Sequence, residues 1–342
     1  MSINNTITTI ISNHQVTGTI AAVILITLAG YFLTLQKVFS KAFEEQITKL
    51  ILTLSVPALS FISFMQPLNR QLLSEGITII CWGFFLYVAL LVIAPLAYFF
   101  LSDHFKRKVL GIITVFGSTT IFGLPIAGAI YGAKGIIYAS LFNIAYRLLL
   151  YTYVNIVMAH QRLQRGTLRQ IILNPIVIAT LLGLFCWLCQ DWAPQIIINH
   201  QSVAFFRIDQ TASWLYQSLK YLADLTAPLS WLIIGCTLGQ LPLKQIIFDK
   251  LAWYYAVLKS LVVPLICLLI LLLSQHYQVF AISNVAIATA VLLMISPTST
   301  IPVAYSISYN CFPEITAKCS MISNISSIIS LPFWVGALSL LH

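Results

Sequence analysis

The chain has 342 residues, of which 59% are hydrophobic and only 8% charged. A soluble domain carries roughly 25% charged residues, so this composition cannot furnish a water-facing surface and the solvent must be lipid. The formal net charge is +9, but Lys and Arg gather in short segments between apolar runs. There is no basic patch interleaved with aromatics, which excludes the nucleic acid that such a charge often implies.

In chain order, apolar runs fall at about 16–36, 46–66, 77–101, 109–131, 135–159, 170–190, 212–239, 250–273, 281–305 and 317–341. A spanning helix needs roughly 20 apolar residues, so the pattern predicts an all-α polytopic membrane protein of ten transmembrane helices with little left for a soluble domain. No basic n-region or small-residue cleavage site accompanies the first run, which is expected to stay as a helix. The fourth and ninth runs are interrupted in mid-membrane by Pro and polar residues. In the sixth, Cys186 and Cys189 form a C-x-x-C; without a βαβ context or nearby His they read as small packing residues, with redox or metal chemistry as the lesser alternative. The six His fall near helix ends or in loops, so no metal site is expected. Motifs for nucleotide-driven pumping, zinc hydrolysis and serine hydrolysis are missing, and neither cofactor nor catalytic constellation is expected.

Orientation follows from the Lys/Arg bias of short loops. With the N-terminus outside, the inner loops hold Lys37, Lys41, Lys49, Lys106, Arg107, Lys108, Arg162, Arg165, Arg169, Lys244, Lys250 and Lys318, and the outer loops only Arg70, Lys134 and Arg207. Twelve cations against three put both termini outside.

Three intramembrane prolines recur in one order: Pro57 with Pro228, Pro95 with Pro264, and Pro125 with Pro302. Their offsets, 171, 169 and 177 residues, point to duplication. Five spans per half is an odd number, so the second half (161–342) must enter the membrane from the side opposite the first (1–160). The expected fold is therefore an inverted repeat, an architecture typical of secondary transporters.

Such folds place their site near the midplane, at discontinuous helices. Gly117-Ser118-Thr119-Thr120 precedes Gly123-Leu124-Pro125, and Ser296-Pro297-Thr298-Ser299-Thr300 precedes Ile301-Pro302. A proline opening a second half-helix costs no hydrogen bond, and the free amides beside it suit a carboxylate. The alternative is a pair of proline kinks whose Ser and Thr bond back to their own helices. Ser118, Thr119, Thr120, Pro125, Thr298, Ser299, Thr300 and Pro302 are the candidate substrate residues.

Four charges lie within spans: Arg147, Lys220, Asp224 and Lys259. Lys220 and Asp224 stand at i, i+4, where they can neutralise one another; both are candidates for ion coupling. Arg147 is a candidate counter-charge for an anion, or alternatively a ligand of backbone carbonyls. Lys220 and Lys259 read as side chains that snorkel toward an interface.

Several segments together resemble the auxin efflux carrier family, which includes plant exporters and bacterial permeases for malate, malonate and similar anions. They are Leu54 to Leu59 around Pro57, Gly123-Leu-Pro125 with Tyr131-Gly132, Asn174-Pro175 with Leu182-Gly183, Asp224 through Pro228 to Gly235, and Pro297 to Pro302 with Tyr309-Asn310. The resemblance implies a fold like the bile-acid symporters, with scaffold and transport domains each built from both repeats. Helices four and nine would cross at Pro125 and Pro302 with the substrate carboxylate beside the crossing. Family members often carry Asn where this chain has Ser118; a single hydroxyl cannot replace an amide contact for contact.

The expectation is a carrier of small mono- or dicarboxylates, or of auxin-like acids, in the inner membrane. H⁺ or Na⁺ is the candidate coupling ion, lipid is the surrounding partner, and a homodimer is left open. The rivals are a non-transporting receptor of an organic anion on the same fold, an intramembrane enzyme, and a channel.

Overall fold

A computed structural model describes residues 14–67, 70–159, 173–198, 201–240, 248–279 and 282–339. Arg162, Arg165, Arg169, Lys244 and the boundary between residues 160 and 161 lie outside the described residues. The described chain is mostly helical: α1 His14–Leu35, α2 Lys41–Ile62, α3 Arg70–Ile93, α4 His104–Val115, α5 119–131, α6 133–159, α7 Pro175–Leu188, α8 Ser213–Gly239, α9 Lys250–His276, α10 Asn284–Ile295, α11 Thr300–Ser308 and α12 Pro313–Ser339. Six continuous helical stretches, Lys41–Ile62, Ser74–Tyr98, Thr119–Ala159, Ser213–Gly239, Lys250–His276 and Pro313–Ser339, are long and apolar enough to cross a membrane. A short hairpin between α7 and α8, Gln195–Ile198 paired antiparallel with Gln201–Ala204, is the one departure from the expected all-helical chain among the described residues.

The surface confirms lipid as the solvent. On α3 and the 3-10 turn Ala94–Tyr98 that continues it the exposed residues include Phe85, Val88, Val92 and Leu96, and on α9 Leu261, Leu265, Leu269 and Leu273. At intervals of three or four these make one outward face per helix, apolar where a soluble protein would be polar. By contrast α4 is buried from Val109 to Val115 and α10 from Ala286 to Ile295, with no outward face over those residues. These two helices form the centre of the molecule.

Three of the mid-membrane prolines, Pro57, Pro125 and Pro264, shape their helices in the same way. A proline has no N–H and crowds the carbonyl four residues earlier, and the chain absorbs this with one wider turn just before it. Such π-helical turns occupy Ile51–Ser55 before Pro57, Thr119–Gly123 before Pro125 and Leu258–Val262 before Pro264. The carbonyl of Ser260, which Pro264 cannot serve, receives the indole N–H of Trp334 at 2.8 Å. Gly132 ends α5: with φ +61° and ψ −146° it takes a conformation open to glycine, and the chain turns there into α6.

Packing pairs α1 with α8 and α7 with α2. The first contact is backbone on backbone: a Cβ on Gly235 would stand 1.9 Å from the Thr27 carbonyl oxygen. In the second, Gly183 lies against Phe61 and Phe64.

Candidate functional site

The two interrupted helices meet at their interruptions. α4 ends at Val115 and α10 at Ile295, and the extended residues that follow pair antiparallel around Gly117 and Thr298. Ser118 N–H donates to the Pro297 carbonyl at 2.6 Å and Ser299 N–H to the Phe116 carbonyl at 3.0 Å. Unpaired backbone polar groups are intolerable in the membrane interior; here each break supplies the partners that the other lacks. Gly117 permits the approach, since a Cβ there would lie 2.8 Å from the Ser296 carbonyl oxygen.

Beside the crossing lies a cavity of about 190 Å³. Ser118 and Thr120 from the first break, Ser299 and Thr300 from the second, and Arg147 from α6 all line it. Ser118 makes no capping bond to its own helix, unlike Thr114, which bonds back to the Leu110 carbonyl. Arg147 is 3% exposed, so its charge is held inside the protein. Tyr146 and Asn174 also face the cavity. The Tyr146 hydroxyl donates to Ser299 Oγ at 2.9 Å, and its ring belongs to an aromatic cluster with Tyr87 and Phe116 that wedges the crossing from behind. Asn174 caps α7 by accepting from Ile176 N–H at 3.0 Å.

The remaining candidates lie elsewhere. Thr119, Thr298, Pro125 and Pro302 are buried in the packing of the crossing and are not cavity-lining residues. Thr298 is tied by its N–H and hydroxyl to Ser323 Oγ, at 3.0 and 2.9 Å, and by its hydroxyl to Tyr255 at 2.5 Å. Lys220 and Asp224 pair with each other at 3.1 Å, with side chains 47% and 58% exposed, and neither borders the cavity. Lys259 does not snorkel: it is wholly buried, and its ammonium donates to the Val115 carbonyl at 3.3 Å. Cys186 and Cys189 are free thiols on or beside α7. Among the described residues no group of three or more His, Cys, Asp or Glu comes together.

Sequence reasoning missed Tyr146, Asn174, Tyr255, Lys259 and Ser323 as parts of this region. The available signals were Asn174 directly before Pro175, a standard cap, and Tyr255 with Lys259 at i, i+4 on one face of α9.

The family model for membrane transport proteins matches residues 15–335, nearly the whole chain. An uncharacterized transporter of Methanocaldococcus jannaschii is 23% identical over 235 residues, 66% of this chain and 70% of the relative. The match spans both breaks, Arg147 and the helices that carry them. The chain is thus a multi-pass membrane transporter and not an enzyme, and it belongs to the auxin efflux carrier family of membrane transport proteins.

Proposed function

We propose that this transporter carries small organic anions, mono- or dicarboxylates, by alternating access, and that the cavity beside the crossing is the substrate site. The observation that carries this reading is the composition of the cavity wall. Hydroxyls from both breaks, Ser118, Thr120, Ser299 and Thr300, share one space with the guanidinium-bearing Arg147. A planar fork of N–H donors suits a carboxylate, and hydroxyls adapt to either end of it. At about 190 Å³ the space is smaller than the roughly 300–1,000 Å³ of drug-sized pockets, which favours malonate- or malate-sized acids over indole acids.

The mechanism we propose uses ten helices in two inverted repeats, residues 1–160 and 161–342, with both termini outside the inner membrane. The reciprocal packing of α1 on α8 and α7 on α2 supports that symmetry. Broken crossing helices fit a site that closes alternately to each side. Uptake of labelled malate, malonate, oxalate and an indole carboxylate into proteoliposomes, under imposed proton, sodium and voltage gradients, tests the proposal. Saturable uptake or counterflow of at least one small anion is expected. Binding without counterflow would favour a receptor, and no binding or movement of any of them would defeat the reading.

A further inference from the structure

Burying an ammonium costs several kcal/mol unless neighbours compensate it. Lys259 lies in the wide turn of α9 and is 0% exposed. Among the described residues no ion pair includes it, so its compensation comes from elsewhere. Its hydrogen bond goes to the carbonyl of Val115, the last residue of α4. The final carbonyls of a helix have no partner within the helix and carry the negative end of its dipole. Tyr255, one turn earlier on α9, serves another of them, donating to the Ile113 carbonyl at 2.8 Å.

The second broken helix ends at the same place. A methyl group on Gly117 would stand 3.0 Å from Lys259 Nζ and 2.8 Å from the carbonyl oxygen of Ser296, the residue that closes α10. Ser296 Oγ is itself buried without a hydrogen-bond partner among the described residues, and it faces Gly123, 2.8 Å from where a Cβ there would stand. The last carbonyls of both half-helices thus border Gly117, and the ammonium bonds that of the first. Carriers with broken helices use such ends to coordinate a free cation.

We propose that Lys259 is a tethered cation of the crossing: it occupies the place that a free alkali cation would otherwise need, so the protein folds and cycles without sodium. This deepens the reading of the crossing as the working site and rests on it, but the following test requires no substrate.

The test is thermal unfolding of the purified full chain in sodium chloride and in choline chloride at equal ionic strength. The wild type is expected to melt at one temperature in both salts. Lys259→Ala removes the ammonium and opens its space; it should melt several degrees lower in choline and regain at least half of that loss in sodium, because an ion bound only by the folded state raises the melting temperature. Lys259→Met fills the space without charge and should melt lower in both salts, with no response to sodium. The proposal is overturned by saturable sodium stabilisation of the wild type, by a Met variant as stable as the wild type, or by an Ala variant equally destabilised in both salts. If Lys259→Ala does not accumulate, the wild type and Lys259→Met decide by the same criteria. These melts contain no organic anion, so a failure of the substrate reading leaves their outcome unchanged.

Discussion

Two groups of side chains meet the same crossing and treat it differently. One group, Ser118, Thr120, Ser299, Thr300 and Arg147, borders open space. The other, Tyr255, Lys259, Thr298 and Ser323, is buried and bonded, with Thr298 held at 2.5 to 3.0 Å by its neighbours. The difference teaches which polar residues of a broken helix remain available to a ligand. The Thr298 hydroxyl is spent on holding the crossing together, whereas Ser299 borders the cavity with an oxygen that accepts from Tyr146. Thr298 and Ser299 are adjacent in sequence yet fall into different groups.

The largest effect is expected at the open group. Arg147→Gln should lower kcat/KM for anion uptake on the order of 100-fold, since a lost charge–charge hydrogen bond in a desolvated site costs roughly 2–5 kcal/mol. The amount of folded protein should change much less, which size-exclusion recovery and uptake per folded molecule will separate. The bonded group should behave in the opposite way. Gly117→Ala places a methyl group 2.8 Å from the Ser296 carbonyl and 3.0 Å from Lys259 Nζ, and overpacking of this kind costs roughly 1–3 kcal/mol. Its melting temperature should fall, and uptake should fall with it.

Much of this comparison was legible in the sequence. Pro125 and Pro302, each preceded by Ser, Thr and no charge, mark the breaks because polar, proline-interrupted helix in a membrane has to be buried in protein. Arg147 was legible as a buried charge. The division between open and bonded hydroxyls was not, because it depends on partners far apart in the chain. Thr298 is held by Ser323 and Tyr255, and Lys259 is held by Val115, 144 residues away. A lysine nine residues past the start of an apolar run reads as snorkelling until the helix end that it serves is known. The Gln195–Ala204 hairpin was unread for a simpler reason: its strands are four residues each and carry no sustained alternation.

Smaller effects sharpen the boundary between the groups. Tyr146→Phe removes the bond to Ser299 Oγ while keeping the ring, and a single such bond is worth roughly 0.5–1.5 kcal/mol. A rise in KM of about 5-fold with little change in melting temperature is expected. The smallest effect belongs to Asp224→Asn. An exposed i, i+4 pair contributes little, so stability should barely change. Uptake should keep its gradient dependence as well; an Asp224→Asn protein that still binds anion but no longer responds to an imposed proton gradient would restore Asp224 as the coupling site.

The most direct measurement is equilibrium binding of labelled malonate, malate and oxalate to purified wild type and to Arg147→Gln of matched melting temperature. The account predicts saturable binding of at least one of these anions to the wild type, competed by the others and about 100-fold weaker in the variant. Equal binding by both proteins, or binding that vanishes in Lys220 or Asp224 variants while surviving Arg147→Gln, would contradict it.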